Sequence, residues 1–207
     1  MTNSKLKYNF SFTAAAFRLS DFLKFAEYFK DFTGEIITTE IDAAGILGSG
    51  NQKSDKRIAA ELVKRFNSLT DAQKELLHSG SFDEKRQVCY LAITKTYSFI
   101  RDFVIEIVRE KVLALDFQIE DSDFNIFINR KQVEHPELEK LTEKTIYKIK
   151  QTLFKILADA GILDSTSSKQ IQPQWVFDNL KRVIVHDNPA WLKIFLLNDS
   201  EIENSRL

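Results

Sequence analysis

Apolar residues recur at helical spacing most clearly between residues 97 and 115. Phe99, Ile100, Phe103, Val104, Ile107, Val108 and Val112 follow the i, i+3, i+4, i+7 rule, which predicts one face of a long helix. Arg101, Asp102, Glu106, Arg109 and Glu110 fall between them, with Glu106 and Glu110 within one turn of Arg109. Such a helix would run roughly 28 Å at 1.5 Å per residue. Its wide, partly aromatic stripe requires several other elements packed on it, so Phe103 and Ile107 are expected to be buried. The preceding stretch, residues 86–96, is expected to lead straight into it, opened by a capping box at Ser81-Phe82-Asp83-Glu84.

Elsewhere the pattern predicts shorter helices. Tyr8 to Thr13 alternates aromatic and polar groups and reads as an extended arm, with Ser11 or Thr13 capping a first helix at Ala14-Ala15-Ala16. Ser20-Asp21 starts a second, carrying Phe22, Phe25, Ala26 and Phe29 on one face. Residues 35–47 are expected to form another, ending at Gly48-Ser49-Gly50. Ser54 or Asp55 caps a helix to about Phe66 with Ile58, Leu62, Val63 and Phe66 inward and Lys56, Arg57, Lys64 and Arg65 outward. Thr70-Asp71 opens a short helix through Leu77, and Ser122 one that closes at Asn129-Arg130-Lys131. Pro136 sits in the first turn of a short helix through Leu141. Two closing helices cover 174–186 and 189–197, anchored by Trp175 and Trp191, and residues 199–207 form a polar, flexible tail. The expected fold class is all-α: a single helical domain over 1–198, or two lobes meeting near residue 115.

The most informative single helix is 143–160, begun by Thr142 and ended by Gly161. Ile146, Ile149, Leu153, Ile156, Leu157 and Ala160 face the core. Lys144, Tyr147, Lys148, Lys150 and Lys155 lie off that stripe, against one acid, Glu143, in the first three turns. Segregated charge of this kind suits a DNA-recognition helix, with residues 162–172 as the hairpin of a wing. An ordinary amphipathic helix with solvated lysines fits the same pattern. The helix-loop-helix around Lys56 and Arg57 has the outline of a helix-turn-helix, and a solvated basic face is again the alternative.

Composition narrows the function classes. The 207 residues include 17 Phe but only six Gly and three Pro, which favours helices over turns. A net charge of −1 excludes a uniformly basic coat, so any nucleic-acid surface must be a local patch. One cysteine, Cys89, excludes a disulfide framework and reads as a core residue. His78, His135 and His186 have no ligand spacing to one another or to Cys89, so no metal or other cofactor is expected. The glycines from Gly45 to Gly50 approach a phosphate-binding loop, but the Lys53-Ser54 pair comes two residues late and no buried strand precedes it. No nucleophile elbow or nucleotide fingerprint occurs, so an enzyme is not expected. With no apolar signal core and no membrane-spanning run, the chain is expected to be soluble and cytoplasmic.

Several landmarks recur in one order. They are Tyr8-x-x-Ser11-Phe12-Thr13-Ala14, then Arg86-Gln87 through Tyr97-x-Phe99-Ile100-Arg101-Asp102-Phe103, then Arg109-Glu110-Lys111. Pro136-Glu137-Leu138, Leu153-Phe154 and Ala160-Gly161-Ile162-Leu163 follow. In this order and spacing, between about residues 8 and 173, the chain resembles the BrxA family, the small A components of BREX bacteriophage-exclusion systems. It departs from the family at Ala15, where glycine is common, and in a longer Gly48-Ser49-Gly50-Asn51 loop. The resemblance implies a NusB-like all-helical fold with helix-turn-helix elements and a non-enzymatic role binding double-stranded DNA beside other BREX components. It makes the positions around Lys56-Arg57 and Lys144-Lys148 DNA-facing, with Lys64, Arg65, Arg130, Lys131 and Lys150 as further candidates. A scaffold holding other defence proteins, or an RNA-binding NusB-like module, are the rival readings.

Overall fold

The structure is a computed structural model that describes residues 7–32, 34–38 and 41–205, apart from the side chain of Ala44. It is all-α. The helices are α1 (Leu19–Tyr28), α2 (Ala43–Leu47), α3 (Gln52–Asn67), α4 (Asp71–Ser79), α5 (Phe82–Thr96) and α6 (Ser98–Phe103). A π-helical segment, Val104–Arg109, joins α6 to α7 (Glu110–Leu113). Then come α8 (Asp121–Glu134), α9 (Glu143–Asp159), α10 (Asp178–Asp187) and α11 (Asp199–Asn204). Turns of 3-10 helix lie at Ser11–Ala14, Pro136–Lys140 and Pro189–Phe195. Among the described residues there is no strand. The expected hairpin is a loop held by isolated antiparallel bridges, Leu163 to Ile171 and Gln118 to Gln170.

Several ends follow local chemistry. Ser81 and Glu84 form the expected capping box of α5, and Thr70 with Gln73 forms another on α4. Gly161, at φ +80°, ends α9. There the amide of Ile162 donates to the Leu157 carbonyl and that of Gly161 to Ala158, a left-handed stop open to glycine at little cost.

Other expectations change. The central helix does not run unbroken from residue 86. Tyr97 leaves helical geometry at φ −117° and ψ 95°, splitting α5 from α6. The π-helical turn then shifts the buried face. Phe103, Val104, Val108 and Arg109 are buried, while Ile107 is only half-buried. Residues 35–37 are not helical: Asn67 brackets Ile36, accepting from its amide and donating to its carbonyl. The helix expected to start at Ala14 is a single 3-10 turn that ends there, and Ala16 (φ 39°) and Arg18 (φ 47°) then turn the chain left-handed. α8 starts two residues early, at a Glu120–Asp123 capping box rather than at Ser122. Trp175 is no anchor: Gln87 holds its carbonyl at 2.5 Å, and the residue is 74% exposed. Residues 199–204 are helical, fixed by an Asn198–Glu201 capping box and by Asp199, 2.9 Å from Arg109. Arg206 and Leu207 lie outside the described residues.

The buried residues form one continuous cluster from Tyr8 to Ile202. Phe103 sits near its middle, with ring contacts to Phe124, Phe127 and Phe154 that pull α8 and α9 onto α6. A polar knot lies beside it. The Tyr97 hydroxyl donates to Glu61 at 2.5 Å and Ser11 Oγ donates to the same carboxylate oxygen at 2.8 Å. Arg65, one turn on, lies 5.5 Å from the Tyr97 ring and donates to the Phe17 carbonyl. Burial pushes the Glu61 pKa up, but hydrogen bonds from Lys64, Tyr97 and Ser11 outweigh it and hold the carboxyl below its ordinary value. Burial also pushes the Cys89 thiol up to about 12, so it packs as an inert core group.

Phe103→Ala is expected to lower the unfolding free energy by about 3–5 kcal/mol, measured by urea titration. Arg65→Ala should cost about 2–4 kcal/mol through the cavity it leaves, whereas Lys56→Ala and Arg57→Ala should stay within about 0.5 kcal/mol. Because the folded Glu61 pKa lies below its unfolded value, this group stabilises the fold above that ordinary value of 4.5, and the contribution is lost as pH falls through the folded pKa. Tyr97→Phe removes one of its donors and should cost about 1.5–3 kcal/mol at neutral pH. The gap between variant and parent should narrow on acidification below 4.5; a constant gap would place the loss in packing.

Candidate nucleic-acid interface

α9 owes its position to its apolar stripe. Ile149, Leu153, Phe154, Ile156 and Leu157 are buried, and Phe154 meets both Phe103 and Phe124. That packing turns the opposite face outward. Thr142 caps its first turn by accepting from the Thr145 amide, and Lys144, Tyr147 and Lys148 are exposed there. Neither lysine has an ion-pair partner among the described residues. Their charge is therefore free to meet an anion.

One turn on, the cations become engaged. Lys150 Nζ lies 2.9 Å from Asp121, and Lys169, from the loop after α9, donates to the other oxygen of that carboxylate at 2.6 Å. The two lysines hold the Asp121 carboxyl below the usual aspartate range. Lys155 pairs with Asp159 at 3.2 Å, and Arg18 with Asp21 at 2.7 Å. Arg18, Lys150, Lys155 and Lys169 all line a groove of about 650 Å³ between α9 and the Ser11–Ala14 turn. Tyr147 and the backbone of residues 13–16 complete its walls. Buried Phe12 and Phe17 anchor the turn, so this wall is stiff.

The nine basic residues singled out in the sequence therefore separate. Lys144 and Lys148 share the open face of α9, and Lys150 lines the groove beside it. Lys56 and Arg57 are exposed near the start of α3, apart from that groove. Lys64 is exposed and pairs with Glu61 at 2.7 Å. Arg65 does not point outward as expected. It is fully buried, and its guanidinium braces the chain at Phe17. Arg130 and Lys131 are drawn to Glu106 on the π-helical segment, at 2.6 and 2.5 Å, and Lys131 is buried. Arg18 and Lys169 join the groove without having been singled out. Lys169 had a signal in its place at the tip of the expected wing; Arg18 had none, because only the left-handed backbone presents it.

The glycine loop resolves differently. The Asn51 side chain caps α3 by accepting from the Ser54 amide, and Ser49 donates to Asp55 through both its amide and its hydroxyl. A buried carboxylate thus occupies the place a phosphate would need. Among the described residues no group of three or more His, Cys, Asp or Glu side chains is placed to hold a metal ion. No helix among them is long and apolar enough to cross a membrane.

Comparison with known proteins agrees with this architecture. The chain is 26% identical over 145 residues to the BREX protein BrxA of Escherichia coli O9:H4 (strain HS), covering 70% of this chain and 68% of that protein. It is 27% identical over 135 residues to the BREX protein BrxA of Bacillus cereus (strain H3081.97), covering 65% of this chain and 66% of that one. A crystal structure of an uncharacterized protein from Magnetospirillum magneticum superposes with a TM-score of 0.78 at 12% identity, over 92% of this chain and 98% of that one, a likeness of fold alone. The family model described as BrxA matches residues 6–188, so this chain belongs to the BrxA family.

Proposed function

We propose that this chain is a non-enzymatic component of a BREX phage-defence system that binds double-stranded DNA in the cytoplasm, alongside other BREX components. The family match and the names of the relatives supply the first half of this reading. One observation carries the second: among the described residues Lys144 and Lys148 stand unpaired and exposed, on a helix whose other face is locked in the core. The turn at Pro136–Lys140 before α9 and the bridged loop after it suit a helix-turn-helix with a wing. Lys56 and Arg57, at the start of α3, are the second candidate contact. A NusB-like RNA-binding role would use the same basic surface.

The scaffold reading has its own support. Leu113 (43% exposed), Leu115 (79%) and Phe117 (47%) line an apolar groove with Phe195 and Leu197, a surface suited to another protein.

Binding to duplex DNA, single strands and RNA at several salt concentrations separates these readings. Phosphate contacts release counterions, so each one lost should flatten the log–log salt slope by about 0.9 on duplex DNA. Replacing Lys144 and Lys148 together with Ala should flatten it by nearly two, with stability intact because exposed lysines contribute little. The same pair of measurements on Lys56 and Arg57 tests the second contact. Unchanged affinity and slope in both double variants would favour the scaffold.

A further inference from the structure

Tyr147 has no structural reason to be where it is. It is 61% exposed, stacks on no other ring among the described residues, and stands between the unpaired Lys144 and Lys148. It also lines the groove into which Arg18, Lys150, Lys155 and Lys169 project. A free aromatic face at the mouth of a cationic cleft is the chemistry by which proteins hold unpaired bases. The cleft, about 650 Å³, falls within the size range of sites that enclose a small ligand, about 300–1,000 Å³.

Its walls are preformed. Ala16 and Arg18 adopt positive φ on either side of buried Phe17, and the Phe17 carbonyl is held from below by Arg65. That backbone places Arg18 opposite α9. The four cations are paired with carboxylates, yet Asp121 serves both Lys150 and Lys169, so the lining residues keep an excess of positive charge. The Arg18–Asp21 and Lys155–Asp159 pairs are at least partly exposed and are worth little, so a phosphate can replace those carboxylates at small cost.

We infer that the groove between the Ser11–Ala14 turn and α9 takes an unpaired nucleotide of a DNA strand, with its base stacked on Tyr147 and its phosphates met by Arg18, Lys155 and Lys169. This rests on the reading of α9 as a nucleic-acid face. It adds that the preferred substrate is a duplex carrying a single-stranded tail or gap.

The test uses the full chain, a blunt duplex, and the same duplex extended by a single-stranded tail containing 2-aminopurine. The tailed duplex is expected to bind roughly tenfold tighter than the blunt one, with quenching of the tail fluorophore. Tyr147→Ala should abolish the quenching and bring the tailed-to-blunt affinity ratio to about one, and Tyr147→Phe should keep both. An Arg18→Ala, Lys169→Ala double variant should reduce the gain with the quenching weakened, which guards against a fold defect peculiar to one position. Equal affinity for blunt and tailed duplexes in the parent protein overturns the groove proposal and leaves duplex binding standing. Binding of the tailed form alone upholds the groove and overturns the duplex reading. Binding of neither overturns both.

Discussion

The buried contact between Tyr97 and Glu61 is the constraint on which the rest of the arrangement depends. Tyr97 sits where α5 ends and α6 begins, with its residue fully buried and its hydroxyl committed to a carboxylate on α3. A buried carboxylate is costly unless its lone pairs are occupied. Glu61 therefore needs Tyr97 from the helix junction, Ser11 from the N-terminal turn and Lys64 from its own helix together. Arg65, four residues on, lies over the same Tyr97 ring and donates to the Phe17 carbonyl. Three separate parts of the chain are fixed by one set of hydrogen bonds whose geometry admits little slack. The N-terminal turn can form one wall of the groove only because this junction holds it against α3 and α9.

The core was legible in the sequence where its signals were local or periodic. The aromatic positions Phe22, Phe25, Phe99 and Phe103 are buried, and the Ser81-x-x-Glu84 box and the Thr142-to-Gly161 boundaries need only neighbouring residues to be read. Several of the failures trace to partners distant in sequence. Residues 35–37 are held out of helix by Asn67, and at Tyr97, where the long helix breaks, the hydroxyl is committed to Glu61. Residues 199–204 are held where Arg109 reaches Asp199 and the Leu197 carbonyl. None of these pairings leaves a mark in helical periodicity.

The candidate site divides along the same line. Lysines on one face of α9 are visible as a departure from an apolar repeat, and the structure places Lys144 and Lys148 on that open face. Arg65 and Lys131 carry the same formal charge in the sequence but serve the interior, one bracing Phe17 and the other neutralising Glu106. Their helices gave no warning, since a cation on the core-facing side is read as outward by default. The groove is a tertiary object. Arg18, Lys150 and Lys169 are far apart in the chain and meet where α9, seated on Phe103 and Phe124 through Phe154, lies beside the N-terminal turn and Asp121 ties Lys150 to Lys169.

Pairing also decides how much each cation can give to an anionic ligand. Asp121, held by two lysines, already screens them, so a phosphate entering there exchanges a carboxylate contact for a phosphate contact and gains less than at an unpaired lysine. Lys144 and Lys148 have no such partner among the described residues, and a phosphate at them replaces only loosely held counterions. Affinity should therefore come mainly from the open end of α9, while the paired cations of the groove set direction and register. A chain with net charge −1 can bind a polyanion on those terms, because two unscreened lysines on a rigid helix matter more than the overall sum.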